Sequence, residues 1–117
     1  MEELSKKRFV LEYKRVADNA ARVAIEHGWV VQDTPEDKAV KICLMHSELS
    51  EALEAVRQGN PKSEKIPEFT NIEEELADVV LRIMNFGQQL NLRVAEAIIA
   101  KDEYNANRAY KHGGKAF

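Results

Sequence analysis

Proline and glycine punctuation constrains this chain more than any other feature. Its three prolines and five glycines fall mostly between segments whose apolar residues recur at helical spacing, with Gly87 the exception. The spacing predicts four helices. The first covers roughly residues 5–26, with Phe9, Val10, Tyr13, Val16, Ala17, Ala20, Val23 and Ala24 in register, and ends near Gly28. Trp29, Val30 and Val31 form an apolar hinge. The second opens on Thr34-Pro35-Glu36-Asp37, a capping threonine followed by proline and two acids, and runs to about Arg57. Gly59-Asn60-Pro61 stops it, and a loop of unusual length for a bundle continues to Thr70. The third begins at Asn71, with Glu74 at capping-box spacing, and continues to about Leu90. The fourth spans roughly residues 92–109 and gives way to a basic tail, 110–117, containing His112-Gly113-Gly114-Lys115. No alternating run competes, so the expected class is all-α, an antiparallel four-helix bundle.

At 117 residues the chain suits one domain, 1–117, large enough to fold without disulfides or a structural metal. Cys43 is the single cysteine, which favours a reducing, cytoplasmic setting. The N-terminal run has no signal-peptide character, and no segment approaches the ~20 apolar residues of a membrane span. Seventeen Lys and Arg against twenty Asp and Glu give a formal charge of −3, so neither nucleic acid nor a membrane is expected as a partner. Lys6-Lys7-Arg8 reads as a solvated helix start.

Helix 2, placed on a wheel at about 100° per residue, carries two apolar stripes. Ile42, Met45, Leu49, Ala52, Leu53 and Val56 form the expected core face. Val40, Leu44 and Ala55 form the other, and in it lie Glu48 and Glu51. Carboxylates placed there need cations or hydrogen bonds to offset their desolvation. Helix 3 repeats the arrangement, with Glu75 and Asp78 flanking a core stripe of Ile72, Leu76, Val79, Val80, Ile83, Gly87 and Leu90, and Arg82 beyond them. Glu48-Leu49-Ser50-Glu51 and Glu75-Leu76-Ala77-Asp78 read as two copies of one acid-bearing helix. Two such helices face to face gather four oxygen donors, suited to Mg²⁺ or Mn²⁺ rather than zinc. A di-iron site would want Glu-x-x-His, and none of His27, His46 or His112 follows a glutamate at that spacing. His46 reads as structural, Glu54 and Glu73 as surface charge, and Glu74 as a cap. On helix 4, Ile98, Lys101, Asn105 and Arg108 fall within about 80° of one another, a face suited to phosphates. Trp29, Phe69 and Tyr104 are the aromatics able to stack on a base.

Taken in order, Glu48-x-x-Glu51, Glu75-x-x-Asp78, Lys101, Tyr104-Asn105-x-x-Arg108 and His112-Gly113-Gly114-Lys115 make the chain resemble the MazG-like nucleoside triphosphate pyrophosphohydrolases of the all-α NTP pyrophosphatase group. The resemblance covers helix 2 to the end. It implies Mg²⁺-dependent hydrolysis of a nucleoside triphosphate to the monophosphate and pyrophosphate, with Glu48, Glu51, Glu75 and Asp78 as metal ligands. It further implies Lys101 and Asn105, joined here by Arg108, on the phosphates, and a homodimer or homotetramer. Glu51 is the candidate for taking the proton of the attacking water. Phosphoribosyl-ATP pyrophosphohydrolase shares the acidic helices but fits the closing motifs less well. A catalytically silent helical dimer that binds a partner is the alternative from another class, and it gives Glu48 and Glu51 no reason to lie in an apolar stripe. The four acids outnumber the whole excess of acid over base in the chain, so the net charge reads as one local cluster.

Overall fold

The computed structural model describes residues 1–108. The fold is all-α, with helices α1 (Glu3–Glu26), α2 (Pro35–Arg57), α3 (Asn71–Gln89) and α4 (Val94–Ala106). Among the described residues there is no strand; one isolated antiparallel bridge joins Lys62 and Thr70. No described helix is long and apolar enough to cross a membrane. The expected tail at 110–117, with His112, Gly113, Gly114 and Lys115, lies outside the described residues.

Three helices end in the same way, with a residue of positive φ just past the last turn and a backbone amide reaching five residues back. After α1 it is Gly28, at φ 86°, and Trp29 N–H donates to the Ala24 carbonyl at 2.9 Å. After α2, Gly59 takes φ 81° and Asn60 N–H reaches Ala55 at 2.7 Å. After α3 the position falls to Asn91, at φ 57°, with Leu92 N–H on Gly87 at 2.8 Å. Asparagine tolerates this conformation better than most side chains, which suits it to the joint.

Helix starts are equally local. Thr34 caps α2 by accepting the Asp37 N–H at 3.2 Å, and Asp37 returns the interaction by accepting the Gln32 N–H at 2.6 Å. That backbone donor, aided by Lys41, holds the Asp37 carboxyl below its usual range. At α3 the capping box is one residue out from expectation. Thr70 is the N-cap, and Glu73, not Glu74, closes the box by accepting Thr70 N–H at 2.9 Å. The helix therefore starts in the register that frees Glu74 for another role. At the other end of the chain α4 stops at Ala106, so Arg108 follows the helix instead of lying on it.

Among the described residues two compact units are formed, Val16–Leu92 and Met1–Arg15 with residues 93–108, and each is described alone. In the second, Lys14 pairs with Glu96 at 3.1 Å and Lys6 with Glu103 at 2.5 Å. In the first, α2 and α3 are the closely packed pair. The face of α2 that is covered is only partly the one expected, since Ala52 and Met45 belong to the expected core stripe and Ala55 to the other. Its buried residues are Glu48, Ala52 and Ala55, in line with the half-buried Lys41 and Met45. Four of the six expected core residues are bare: Leu49 is 47% exposed, Leu53 52% and Val56 58%, with Ile42 similar. On α3, Leu76 and Val80 are likewise exposed, whereas Glu75, Asp78 and Arg82 are half-buried. The physical reason is size. Alanines at 52 and 55 let two helices approach closely, and the acids between them find partners across the seam.

Candidate metal centre

The centre is built on the α2–α3 seam. Three carboxylates, Glu48, Glu51 and Glu75, each place an oxygen within 4.8 Å of the others. Asp78 does not join that set; it shares Glu75 with a second group, Glu74, Glu75 and Asp78, of the same spread. The four acids read from the sequence thus form two overlapping clusters hinged on Glu75, with Glu74 added to the second.

Glu48 is 8% exposed and is held by Arg82, whose Nε and a terminal nitrogen both lie 3.0 Å from Glu48 Oε1. Burial alone raises the Glu48 carboxyl, but hydrogen bonding with Glu75, Arg82 and Glu51 more than offsets it, and the group sits below its usual range. Glu75 goes the opposite way. Its Oε2 is buried with no hydrogen-bond partner, and burial together with the neighbouring Glu48 and Glu51 pushes its carboxyl up to about 8. Neighbouring charges at this spacing oppose each other's ionisation, so near neutral pH Glu75 keeps its proton while Glu48, paired with Arg82, is ionised. Asp78 is raised too, by burial and then by the charges of Glu48 and Glu74, with Lys65 and Arg82 pulling the other way.

A buried carboxylate oxygen without a partner, in an all-oxygen donor set that retains a proton for want of positive charge, fits a hard divalent cation. Glu51 stands at the exposed edge of the set.

The loop between α2 and α3 is tied down. Ser63, 2% exposed, donates its hydroxyl to Glu74 and accepts the Lys65 and Ile66 amides at 3.2 and 3.0 Å. Asn60 Oδ1 accepts the Ile72 amide at 3.0 Å. Glu74, read from the sequence as a cap, is the anchor of this loop. Neither role has a periodic signature, and only the serine's position after Pro61-Lys62 hinted at a turn.

Two cavities flank the acids. One, of about 400 Å³, has Ala20, Val23, Ala24 and Leu81 as an apolar wall, Trp29 and Asn85 at its side, and Glu48, Lys65, Asp78 and Arg82 at its acidic end. The other, of about 500 Å³, is bordered by Glu51, Glu54, Glu74, Glu75, Lys62 and Lys65 among others. Trp29 is 64% exposed, its ring 5.7 Å from that of His27. Phe69 is exposed on the loop. His46 is exposed, not packed, and its carbonyl accepts the Ser50 hydroxyl at 3.2 Å.

In the other unit, Lys101 and Asn105 lie together along a shallow cavity of about 400 Å³ on α4, and Lys101 Nζ sits 4.6 Å from the centre of the Tyr104 ring. Arg108 is exposed beyond the helix. The aromatic expected to stack on a base is here engaged by a lysine. No family model, curated protein or solved structure matches the chain.

Proposed function

We propose that this chain is a Mg²⁺-dependent nucleoside triphosphate pyrophosphohydrolase that cleaves between the α and β phosphates. The carrying observation is the meeting of Glu48, Glu51 and Glu75 across the α2–α3 seam with a buried, partnerless oxygen on Glu75. Arg82 fixes Glu48, Glu75 gives up its proton when a cation arrives, and Asp78 with Glu74 extends the donor set. The divalent ion supplies charge neutralisation of the phosphates and a bound water of lowered pKa. Glu51, at the exposed edge, accepts the water's proton. The neighbouring cavity, with its apolar wall and Trp29 beside Asn85, suits a base and sugar. Lys101 and Asn105 are assigned to the phosphates from the resemblance and their common face of α4, and Arg108, beyond the end of α4, is grouped with them.

The bare stripe of Leu49, Leu53 and Val56 on α2, continued by Leu76 and Val80 on α3, supports assembly with a second copy, as a dimer or tetramer.

A panel of canonical and modified NTPs and dNTPs with Mg²⁺ tests the activity. Pyrophosphate is the expected product. Orthophosphate, or no turnover on any nucleotide, removes the reading.

A further inference from the structure

Among the described residues, Lys65 is the one that borders both cavities beside the acids. The route from the cavity holding Trp29, past the carboxylates, to the cavity bordered by Glu51 and Glu75 therefore passes its side chain. In the first of these it shares the lining with Glu48, Asp78 and Arg82. Arg82, the other cation of the inner cavity, is committed to Glu48. Among the described residues Lys65 makes no ion pair within 4.0 Å, so its ammonium is available. The loop carrying it is held at two points. Ser63 anchors its backbone to Glu74, and the Lys62–Thr70 bridge closes its base, with Ser63 N–H donating to the Phe69 carbonyl and Asn71 N–H to the Pro61 carbonyl, both at 2.9 Å. A flexible surface lysine spends entropy to bind an anion; one on a fixed backbone spends less.

From this juxtaposition we infer that Lys65 binds the phosphate oxygens of the metal-bound substrate where the polyphosphate crosses the carboxylate cluster. The assignment rests on the metal-dependent reading of the acids given above and adds a residue from the loop to it. Lys65 is a point charge with three donors, suited to oxygens whose positions shift as the bond between phosphates breaks. It is a ligand to phosphate and not to metal, so its removal acts on anion affinity.

The test compares Lys65→Ala, Lys65→Arg and Lys62→Ala with the unaltered protein, using Mn²⁺ alone and then inorganic pyrophosphate with Mn²⁺ as probes. Mn²⁺ binding, followed by paramagnetic resonance, is expected to be retained or tightened in Lys65→Ala, which loses a repelling charge. Pyrophosphate affinity, followed by calorimetry, is expected to fall about 10- to 100-fold. Lys65→Arg should recover most of it, and Lys62→Ala should stay near the unaltered value. In turnover, KM should rise more than kcat falls. Unchanged pyrophosphate affinity in Lys65→Ala with Mn²⁺ bound overturns the role of Lys65 and leaves the metal site standing. Failure of the unaltered protein to bind Mn²⁺, or binding indifferent to Glu48→Gln, removes the metal site and this inference with it.

Discussion

The two faces of α2 invert the usual arrangement. The face turned to α3 is small and charged, with Glu48 buried between Lys41, Met45, Ala52 and Ala55, while the large aliphatic side chains of Leu49, Leu53 and Val56 face outward. A helix optimised only for burial would be turned by roughly one residue, since neighbouring positions differ by about 100°. The contrast teaches that the two surfaces answer to different demands. The seam gives up apolar contact where the carboxylates meet, and the stripe leaves its apolar area exposed.

The largest expected effect breaks the seam's chemistry without its shape. Glu75→Gln is isosteric with the protonated carboxyl, so helix content by circular dichroism should be unchanged while turnover falls about 10²–10³-fold or more. Retained turnover in this variant would make the seam merely structural.

Leu53→Asp acts on the opposite face. Light scattering should show a dimer or larger species reduced to a monomer, with intrinsic monomer stability altered by only about 0.5 kcal/mol. Collapse of helix content instead would return the stripe to the core and erase the contrast.

Acidity gives a subtler handle on the seam. Glu75 binds its proton more tightly folded than unfolded, because its folded value of about 8 exceeds the ordinary 4.5. The stability it contributes is complete below the unfolded value and is lost as pH rises toward 8. Asp78 is raised and adds in the same direction. In chelator, thermal midpoints should therefore decline from pH 5 to pH 8; with Mg²⁺ present the decline should flatten, since the cation takes the proton's place. Glu75→Gln should flatten it without metal. A midpoint that climbs with pH in chelator would contradict the proton held at Glu75.

The smallest effects concern the loop that borders the seam. Ser63→Ala strands two amides and Glu74 in a buried place and should cost about 1–3 kcal/mol in chemical denaturation. Thr70→Ala, losing a cap, should cost about 1 kcal/mol. If the order reverses, the loop's anchor lies at its base and not at Ser63.

Much of this was legible in the sequence. The helix ends at Gly28 and Gly59, the Thr34 cap and the acid pairs at 48/51 and 75/78 all follow from local chemistry, and local chemistry is what one sequence carries. The facing of α2 is legible only in part: Ala52 lies in the expected stripe and is buried, but Leu49, Leu53 and Val56 of the same stripe are exposed, because close packing of the helices favours the small residue. The capping register at Thr70 slipped by one residue because Glu73 and Glu74 are equally plausible acids until the backbone decides. Arg82 was seen, but its commitment to Glu48 joins two helices across 34 positions. Ser63 and Lys65 lie in a stretch without periodicity, where placement depends on bonds between loop and helix.

The bridge between Lys62 and Thr70 makes the loop a noose whose neck is narrow and whose tip runs from Glu64 to Glu68, with the Lys65 and Ile66 amides tied to Ser63. Residues can be added at such a tip without changing the distance between the helices that carry the acids. The fold thus separates the helices that carry the acids from a loop whose length can vary without altering their spacing.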